Sequence, residues 1–172
     1  MKSFLITTFL LLFSSSLLAQ MAEEAQALHD KGRECFNAGK VAEAREYTLK
    51  AMEMRKALFG EVNEDYITSL NNYALSFSME ENYDRAIELQ TKVLQLCEQL
   101  KKPHKNIGMY TMNMGRFYYL KDDKDNAIKY WEMALPLVEK YGEQYENLLE
   151  CLGVIYEERK KDVERIKAML KE

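Results

Sequence analysis

The sequence predicts an all-α fold built from antiparallel helix pairs, and three observations support this prediction. Apolar residues recur every three or four positions along most of the chain, which is the spacing of a helix face rather than of a strand. A small residue recurs at intervals of 41–42 residues, and a short polar turn falls at the same place in each interval. Each interval is therefore expected to form one helical hairpin of a repeat architecture.

The first 19 residues are predicted to be a signal peptide that is removed from the mature chain. Lys2 supplies the positive start, the apolar stretch Phe4–Phe13 follows, and Ala19 is the small residue expected before a cleavage point. A permanent anchor would need about 18 or more uninterrupted apolar residues, and Ser14–Ser16 interrupt this stretch. The protein is therefore expected to be exported, to the periplasm or the medium, without stable membrane insertion after cleavage. No cysteine follows the stretch directly, which argues against a lipid anchor.

Residues 20–172 are predicted to form one domain of four repeats, at about 23–61, 62–103, 104–142 and 143–172. Small residues are expected where the two helices of a hairpin press together, because a larger side chain would force them apart. Two sets mark the first and the second helix of three successive repeats: Gly32, Ala74 and Gly115, and Ala44, Ala86 and Ala127.

The fourth repeat departs from this spacing, because its glycine, Gly153, follows Gly115 after only 38 residues. Its first helix is expected from residue 143 to about 157, with Leu149, Leu152, Gly153 and Tyr156 repeating the packed stripe. A separate short last helix is expected over residues 162–171, where it would cover the open end of the stack with Val163, Ile166, Met169 and Leu170. Pro136 is expected to kink the second helix of repeat 3 or to remove one of its hydrogen bonds.

Residues 57–74 read ALFGEVNEDYITSLNNYA. This stretch resembles the long tetratricopeptide repeat of kinesin light chains and of many bacterial proteins, whose units read roughly A-L-x-x-x-E-x-x-L-G-x-x-H-P-x-x-A-x-x-L-N-N-L-A-x-x-Y. The usual His-Pro pair is replaced by Asn63-Glu64, and the resemblance covers about residues 23–141. It implies a right-handed superhelical solenoid of the bacterial exported type, whose concave groove binds a peptide or protein partner.

The resemblance also implies which residues line that groove, since the first helix of each pair is its main wall. Asn72 and Asn113 share one repeat position, where the family often uses asparagine to hydrogen-bond an extended peptide. Arg33 and Arg116 would hold a carboxylate of the partner. The alternative is that these are ordinary surface residues, or that the asparagines link neighbouring helices. The predicted groove residues are Arg33, Asn71, Asn72, Met109, Met112, Asn113, Arg116 and Tyr119, with Gln26, His29 and Asp30 on the same face of repeat 1.

Groups that could carry catalysis are sparse. The chain has two histidines and no Cys/His cluster at zinc spacing, and its seven glycines are scattered rather than gathered in a phosphate loop. The acidic stretch 122–126 lacks the glycine and closing glutamate of a calcium loop, so it is expected to be a turn in which Asp125 or a neighbour caps a helix. Neither a metal nor a cofactor is expected. Three cysteines, Cys35, Cys97 and Cys151, are expected to be free and mostly buried.

The formal charge of −4 becomes about −5 when Lys2 is removed with the signal peptide. Such a chain lacks the dense basic face that nucleic acid requires. The leading hypothesis is an exported scaffold or adaptor that binds a protein or peptide and is not an enzyme. One alternative is the sensory or substrate-recruiting part of a larger protease or signalling system, of which this chain would be a fragment or a split gene. A thiol-dependent enzyme is the third.

Overall fold

The computed structural model describes the backbone of residues 2–140 and 142–169 and the side chains of residues 16–140 and 142–161. Over that part of the chain it contains seven α-helices, one turn of 3-10 helix at Leu135–Leu137 and no strand, which confirms the all-α prediction. The helices are α1 Lys2–Asn37, α2 Val41–Phe59, α3 Glu64–Met79, α4 Tyr83–Gln99, α5 Ile107–Leu120, α6 Lys124–Ala134 and α7 Glu143–Met169.

The chain divides into two compact units, Met1–Lys102 and Pro103–Glu172. In the first unit α1 packs on α2, α2 on α3 and α3 on α4. In the second unit α5 packs on α6, and α6 packs on α7. The three predicted hairpins, α1/α2, α3/α4 and α5/α6, are therefore confirmed.

Close approach of paired helices depends on glycine at two positions. A β-carbon on Gly32 of α1 would lie 2.8 Å from Thr48 Oγ1 of α2. A β-carbon on Gly115 of α5 would overlap the ring of Trp131 on α6, at 2.5 Å from its Nε1. Real β-carbons do not approach heavy atoms so closely, so these contacts confirm the prediction that Gly32 and Gly115 mark packed positions. The matching alanines of the second helices, Ala44, Ala86 and Ala127, are fully buried.

The three hairpin turns share one backbone geometry. Each contains a residue with positive φ, namely Gly39 at 72°, Glu81 at 61° and Asp122 at 65°. The next residue in each turn donates its N–H to the carbonyl five positions back, at 2.9 Å: Lys40 to Cys35, Asn82 to Phe77 and Asp123 to Tyr118. This is the Schellman ending of a helix, in which glycine is favoured at the left-handed position.

Side chains in two of these turns also begin the following helix. Asn82 accepts a hydrogen bond from the backbone N–H of Arg85 at 3.3 Å, and Asp123 accepts one from Asn126 at 3.1 Å. Each satisfies a donor that the first turn of a helix leaves without a partner. The helix cap predicted in the acidic stretch is thus Asp123, two residues before Asp125.

Two predictions about the last third of the chain are wrong. Helix α6 ends at Ala134, and Pro136 lies in the 3-10 turn that follows, so the proline ends the helix instead of kinking it. Leu135 before the proline keeps α dihedral angles, but proline has no backbone N–H, so position 136 cannot continue the α-helical hydrogen bonds, and this part of the prediction holds. The backbone of α7 is continuous from Glu143 to Met169, so there is no separate last helix. The side chains of its predicted stripe, Val163, Ile166, Met169 and Leu170, lie outside the described residues.

The packed face of α7 also differs from the prediction. Leu148, Leu152 and Ile155 are buried and pack with Trp131 and its neighbours on α6. Gly153 is exposed, and among the described residues nothing lies within 4 Å of where its β-carbon would be. Of the predicted stripe, Leu152 is buried as expected, whereas Leu149, Gly153 and Tyr156 are exposed. The sequence carries two apolar stripes offset by one residue, and the alignment on glycine favoured 149–153–156 over the packed 148–152–155.

The side chains of the predicted signal peptide up to Ser15 lie outside the described residues, although the backbone of α1 is helical from Lys2. Ala19 and Gln20, on either side of the predicted cleavage point, are exposed. Within the described residues no helix has the length and apolar character that a membrane span requires. The signal peptide stays a prediction.

Candidate partner-binding site

Helices α5, α6 and α7 of the second compact unit surround a cavity of about 340 Å³, which we call the α5–α7 cavity. Two of its lining residues, Arg116 and Tyr119, belong to the set predicted from the sequence. Helices α6 and α7 supply wall residues that the sequence did not single out. The full lining is Arg116, Tyr119, Leu120, Trp131, Glu150, Cys151 and Val154.

The wall of the α5–α7 cavity is fixed by an aromatic pair. The Trp131 side chain is 4% exposed, and its ring packs over Gly115. Its Nε1–H donates a hydrogen bond to the backbone carbonyl of Met112 at 3.2 Å. The ring of Tyr119 lies 5.5 Å from that of Trp131, at an interplanar angle of 39°. Because the indole packs against Gly115 and is hydrogen-bonded to Met112, both on α5, its orientation in the cavity wall is fixed.

The rim of the α5–α7 cavity combines exposed apolar and charged side chains. Leu120 and Val154 are 41% and 48% exposed. Arg116 and Glu150 are exposed and bear opposite charges. Burial raises the pKa of the Cys151 thiol above its ordinary value, with a smaller contribution in the same direction from Glu150. The thiol is therefore protonated at neutral pH and acts as apolar lining rather than as a nucleophile.

The other predicted residues of the second compact unit lie on α5. Met109, Met112 and Asn113 are half-buried. Met112 packs against the core formed by α6 and α7, and its carbonyl receives the Trp131 hydrogen bond. Met112 therefore holds the cavity wall in place and does not line the cavity itself.

The predicted residues of the first compact unit fall into two environments. Arg33 is exposed and forms an ion pair with Asp30 at 3.8 Å, and Asn72 is half-buried. Asn71 is 1% exposed, and its Oδ1 accepts a hydrogen bond from Gln90 of α4 at 3.2 Å. The assignment of Asn71 to a partner-facing surface is therefore wrong. Its amide links α3 to α4, which is the alternative role considered for the asparagines.

Comparison with known proteins agrees with this architecture. The family model described as tetratricopeptide repeat matches residues 18–99. Residues 18–99 are therefore similar to tetratricopeptide repeats, and they include most of α1 and the whole of α2, α3 and α4. A curated relative, the mitochondrial tetratricopeptide repeat protein 19 homolog of Drosophila melanogaster, is 27% identical over 116 residues. That alignment covers 67% of this chain and 30% of the relative, so the chain spans less than a third of the relative's length.

Two solved tetratricopeptide-repeat structures illustrate the likeness of fold. The repeats of a protein described as a kinesin light chain, from Podosopora anserina, superpose with a TM-score of 0.70 at 14% identity, over 87% of this chain and 74% of that one. The first tetratricopeptide-repeat domain of Spaghetti, solved with an HSP90 peptide, superposes with a TM-score of 0.60 at 19% identity, over 79% of this chain and 93% of that one. At these identities the likeness shows the fold.

A buried arginine of the first compact unit was not predicted to have any role. The Arg55 side chain of α2 donates to Ser69 Oγ at 2.7 Å and to the Asp65 carbonyl at 3.1 Å, both on α3. It also donates to Gln26 Oε1 of α1 at 2.7 Å. Burial lowers the pKa of Arg55, and Asp65 and Asp30 oppose that shift. One guanidinium thus joins three helices.

His29 of α1 was predicted to face the groove, but the structure places it inside the first unit. Its side chain is buried, and its Nδ1 has no hydrogen-bond partner among the described residues. Burial and then the charge of Arg55 lower its pKa from 6.5 to about 4. At neutral pH His29 is therefore an uncharged core residue, and its assignment to a partner-facing surface is wrong.

The three cysteines are free in the described part of the chain. Cys97 is buried, while Cys35 and Cys151 are partly buried. Burial raises the pKa of Cys97 to about 11. Among the described side chains, no group of three or more His, Cys, Asp or Glu residues is arranged to hold a metal ion.

Proposed function

We propose that this protein is an exported scaffold of the long-period tetratricopeptide-repeat variety that binds a peptide or protein partner. The second compact unit would contribute by holding a bulky apolar side chain of that partner in the α5–α7 cavity. The observation that carries this proposal is the cavity itself, whose wall contains the two aromatic rings of Tyr119 and Trp131.

The lining of the α5–α7 cavity determines which side chain it would accept. Leu120 and Val154 are exposed on its rim, and the Cys151 thiol is uncharged at neutral pH. Fully burying a leucine, phenylalanine or methionine side chain yields about 1.5–3 kcal/mol. A preformed wall adds to this gain, because little ordering of the cavity is then needed on binding.

The charges on the rim would orient the partner. Arg116 presents a planar guanidinium, which binds a carboxylate through two parallel hydrogen bonds. Glu150 lies on α7 with the opposite charge. An acidic residue of the partner would therefore lie towards α5 and a basic residue towards α7, with the apolar anchor between them.

Binding of peptides by structurally similar proteins supports the proposal. The Spaghetti domain is described as bound to an HSP90 peptide, and a similar yeast Sti1 structure is described as a complex with an HSP90 segment. We propose further partner contacts in each unit separately: the exposed Arg33 and the half-buried Asn72 in the first unit, and the half-buried Met109 and Asn113 of α5 in the second.

A displayed library of random peptides, panned on the purified chain, tests the cavity. Selected peptides are expected to share a bulky apolar residue, and Val154→Glu is expected to weaken their binding by about tenfold because it places a charge on the apolar rim. Val62→Glu is the matched control, since Val62 is similarly exposed but belongs to the first compact unit. Equal binding by wild type and Val154→Glu would refute the assignment of the cavity.

Export has a separate test. The intact mass of the protein recovered from its own cells is expected to correspond to a chain that begins at Gln20, because the residues around Ala19 match a cleavage site. Replacing Ala19 by Arg should block cleavage and leave the longer chain. Recovery of the uncleaved wild-type chain from the cytosol would contradict the proposal of export without affecting the proposal of partner binding.

A further inference from the structure

The outer face of α7 carries a ridge formed by Leu149, Gly153 and Tyr156, which we call the outer ridge. Leu149 and Tyr156 are 47% and 45% exposed. Within the described residues nothing comes within 4 Å of a β-carbon placed on Gly153. Spacings of four and three residues put all three on one side of the helix, about 100° from the buried stripe of Leu148, Leu152 and Ile155. The Tyr156 hydroxyl, at the edge nearer that stripe, donates a hydrogen bond to Glu132 of α6 at 2.6 Å.

Carboxylates border the outer ridge. Glu146, Glu150 and Glu157 are exposed, and the helical advance of about 100° per residue places them within about 60° of Gly153. Among the described side chains of α7, Lys160 lies in the same sector, and Lys161 lines a groove with Glu150, Gly153 and Glu157. Three carboxylates and two ammonium groups leave this face with a small net negative charge.

We propose that the outer ridge docks a basic amphipathic helix of a partner protein. The partner helix would place apolar side chains at i, i+4 and i+7 against Leu149 and Tyr156, with lysine or arginine flanking them. Gly153 at the centre lets the two backbones approach, as packed helices do at axial separations of about 8–10 Å. The basic flanks would complement Glu146, Glu150 and Glu157.

Two features favour this occupant. The centre of this face is apolar, and contact with another apolar surface would remove it from water. A second copy of the chain would bring two faces of like net charge together, which disfavours association of the ridge with itself. A basic helix satisfies both the apolar centre and the acidic border.

A designed peptide provides the probe. An 18-residue helical peptide, with leucine at i, i+4 and i+7 and lysine on both flanks, is titrated into the full chain by calorimetry. Two matched peptides serve as controls, one with the same residues in scrambled order and one with glutamate replacing every lysine. The scrambled peptide is expected to bind about tenfold more weakly, and the glutamate peptide is expected to give no measurable binding.

Variants of the chain locate the site. The Gly153→Gln variant should fold normally, because no described atom lies within 4 Å of a β-carbon at that position. Its larger side chain should keep the peptide helix away from α7 and so reduce the affinity for the lysine peptide by about tenfold. E146K/E157K should shift the preference towards the glutamate peptide. The matched control is E23K/E24K, which makes the same change of charge at two exposed positions of α1. Glu150 is left unchanged because it also lines the α5–α7 cavity.

Three results would overturn the proposal. Equal affinity for the lysine peptide and its scrambled form would show that the outer ridge does not recognise the apolar stripe of the peptide. Equal weakening by E146K/E157K and by E23K/E24K would show unspecific attraction of charge. Dimers in light scattering that Gly153→Gln abolishes would make the ridge an interface between copies of this chain.

Discussion

The indole of Trp131 lies directly over Gly115, so that a β-carbon at position 115 would be 2.5 Å from Nε1. Gly115→Ala is therefore expected to force α5 and α6 apart and to lower the free energy of unfolding by about 1–3 kcal/mol. Gly153→Ala is the matched control, because that glycine is helical, exposed and without close contacts. It should raise stability by about 0.5–1 kcal/mol through helix propensity. Urea unfolding of both variants checks the pair, and shifts of the same sign would contradict the packing described for α5 and α6.

Glu81 adopts the left-handed conformation in the turn between α3 and α4, with φ of 61°. This conformation costs a non-glycine residue about 1–2 kcal/mol. Glu81→Gly removes this cost but adds conformational entropy to the unfolded state, so the variant is expected to be more stable by up to about 1 kcal/mol. Glu53→Gly, at an exposed position inside α2, should instead cost about 1 kcal/mol. A loss of stability in Glu81→Gly would show that the turn does not depend on its backbone geometry in this way.

Arg55 joins α1, α2 and α3 through Gln26, Ser69 and the Asp65 carbonyl. Arg55→Met keeps the aliphatic length but removes the donor to the buried Ser69 Oγ and the links to Gln26 and the Asp65 carbonyl, so the free energy of unfolding should fall by about 1–3 kcal/mol. Arg33→Met is the control, since Arg33 is exposed and its ion pair with Asp30 is worth less than about 1 kcal/mol. Urea unfolding measures both variants. An equally small loss of unfolding free energy in the two would show that Arg55 does not stabilise the first unit.

His29 makes the stability of the chain depend on pH. Its pKa is lowered from 6.5 to about 4 in the folded state, first by burial and then by Arg55. Between these values the unfolded chain binds a proton that the folded chain does not, so this contribution to stability is present above pH 6.5 and declines as the pH falls towards 4. Urea unfolding at several values from pH 7.5 to about 4.5 measures the decline, which His29→Gln should reduce. An identical pH dependence in the variant would contradict the burial of a neutral imidazole.

The sequence predicted the hairpins and the packed glycines because these depend on local periodicity and on side-chain size. Gly32 and Gly115 meet Thr48 and Trp131 as a small-residue contact requires. Gly153 was misplaced because α7 carries two apolar stripes offset by one residue. Periodicity alone does not show which of two adjacent stripes faces a neighbouring helix, and the choice depends on packing against α6.

The candidate site was predicted less completely. Arg116 and Tyr119 line the α5–α7 cavity as first-helix residues, but Trp131, Cys151 and Val154 come from α6 and α7. Their convergence depends on how three helices pack, which no local pattern encodes. Asn71 and Asn72 are adjacent in sequence, yet a rotation of about 100° buries one and leaves the other half-buried. Arg55 gave no signal, since a single arginine on an amphipathic helix is usually solvated.

The central claim is that the α5–α7 cavity receives an apolar side chain of a partner, and Trp131 reports on it directly. It is the only tryptophan of the chain, so its indole N–H gives one resonance in a nitrogen–proton correlation spectrum. Titration of a selected peptide is predicted to shift that resonance saturably, with the dissociation constant measured by calorimetry, and the shift should be lost when the apolar residue of the peptide is replaced by alanine. If calorimetry shows saturable binding of the peptide while the indole resonance does not shift, the peptide does not occupy the α5–α7 cavity, and the central claim is contradicted.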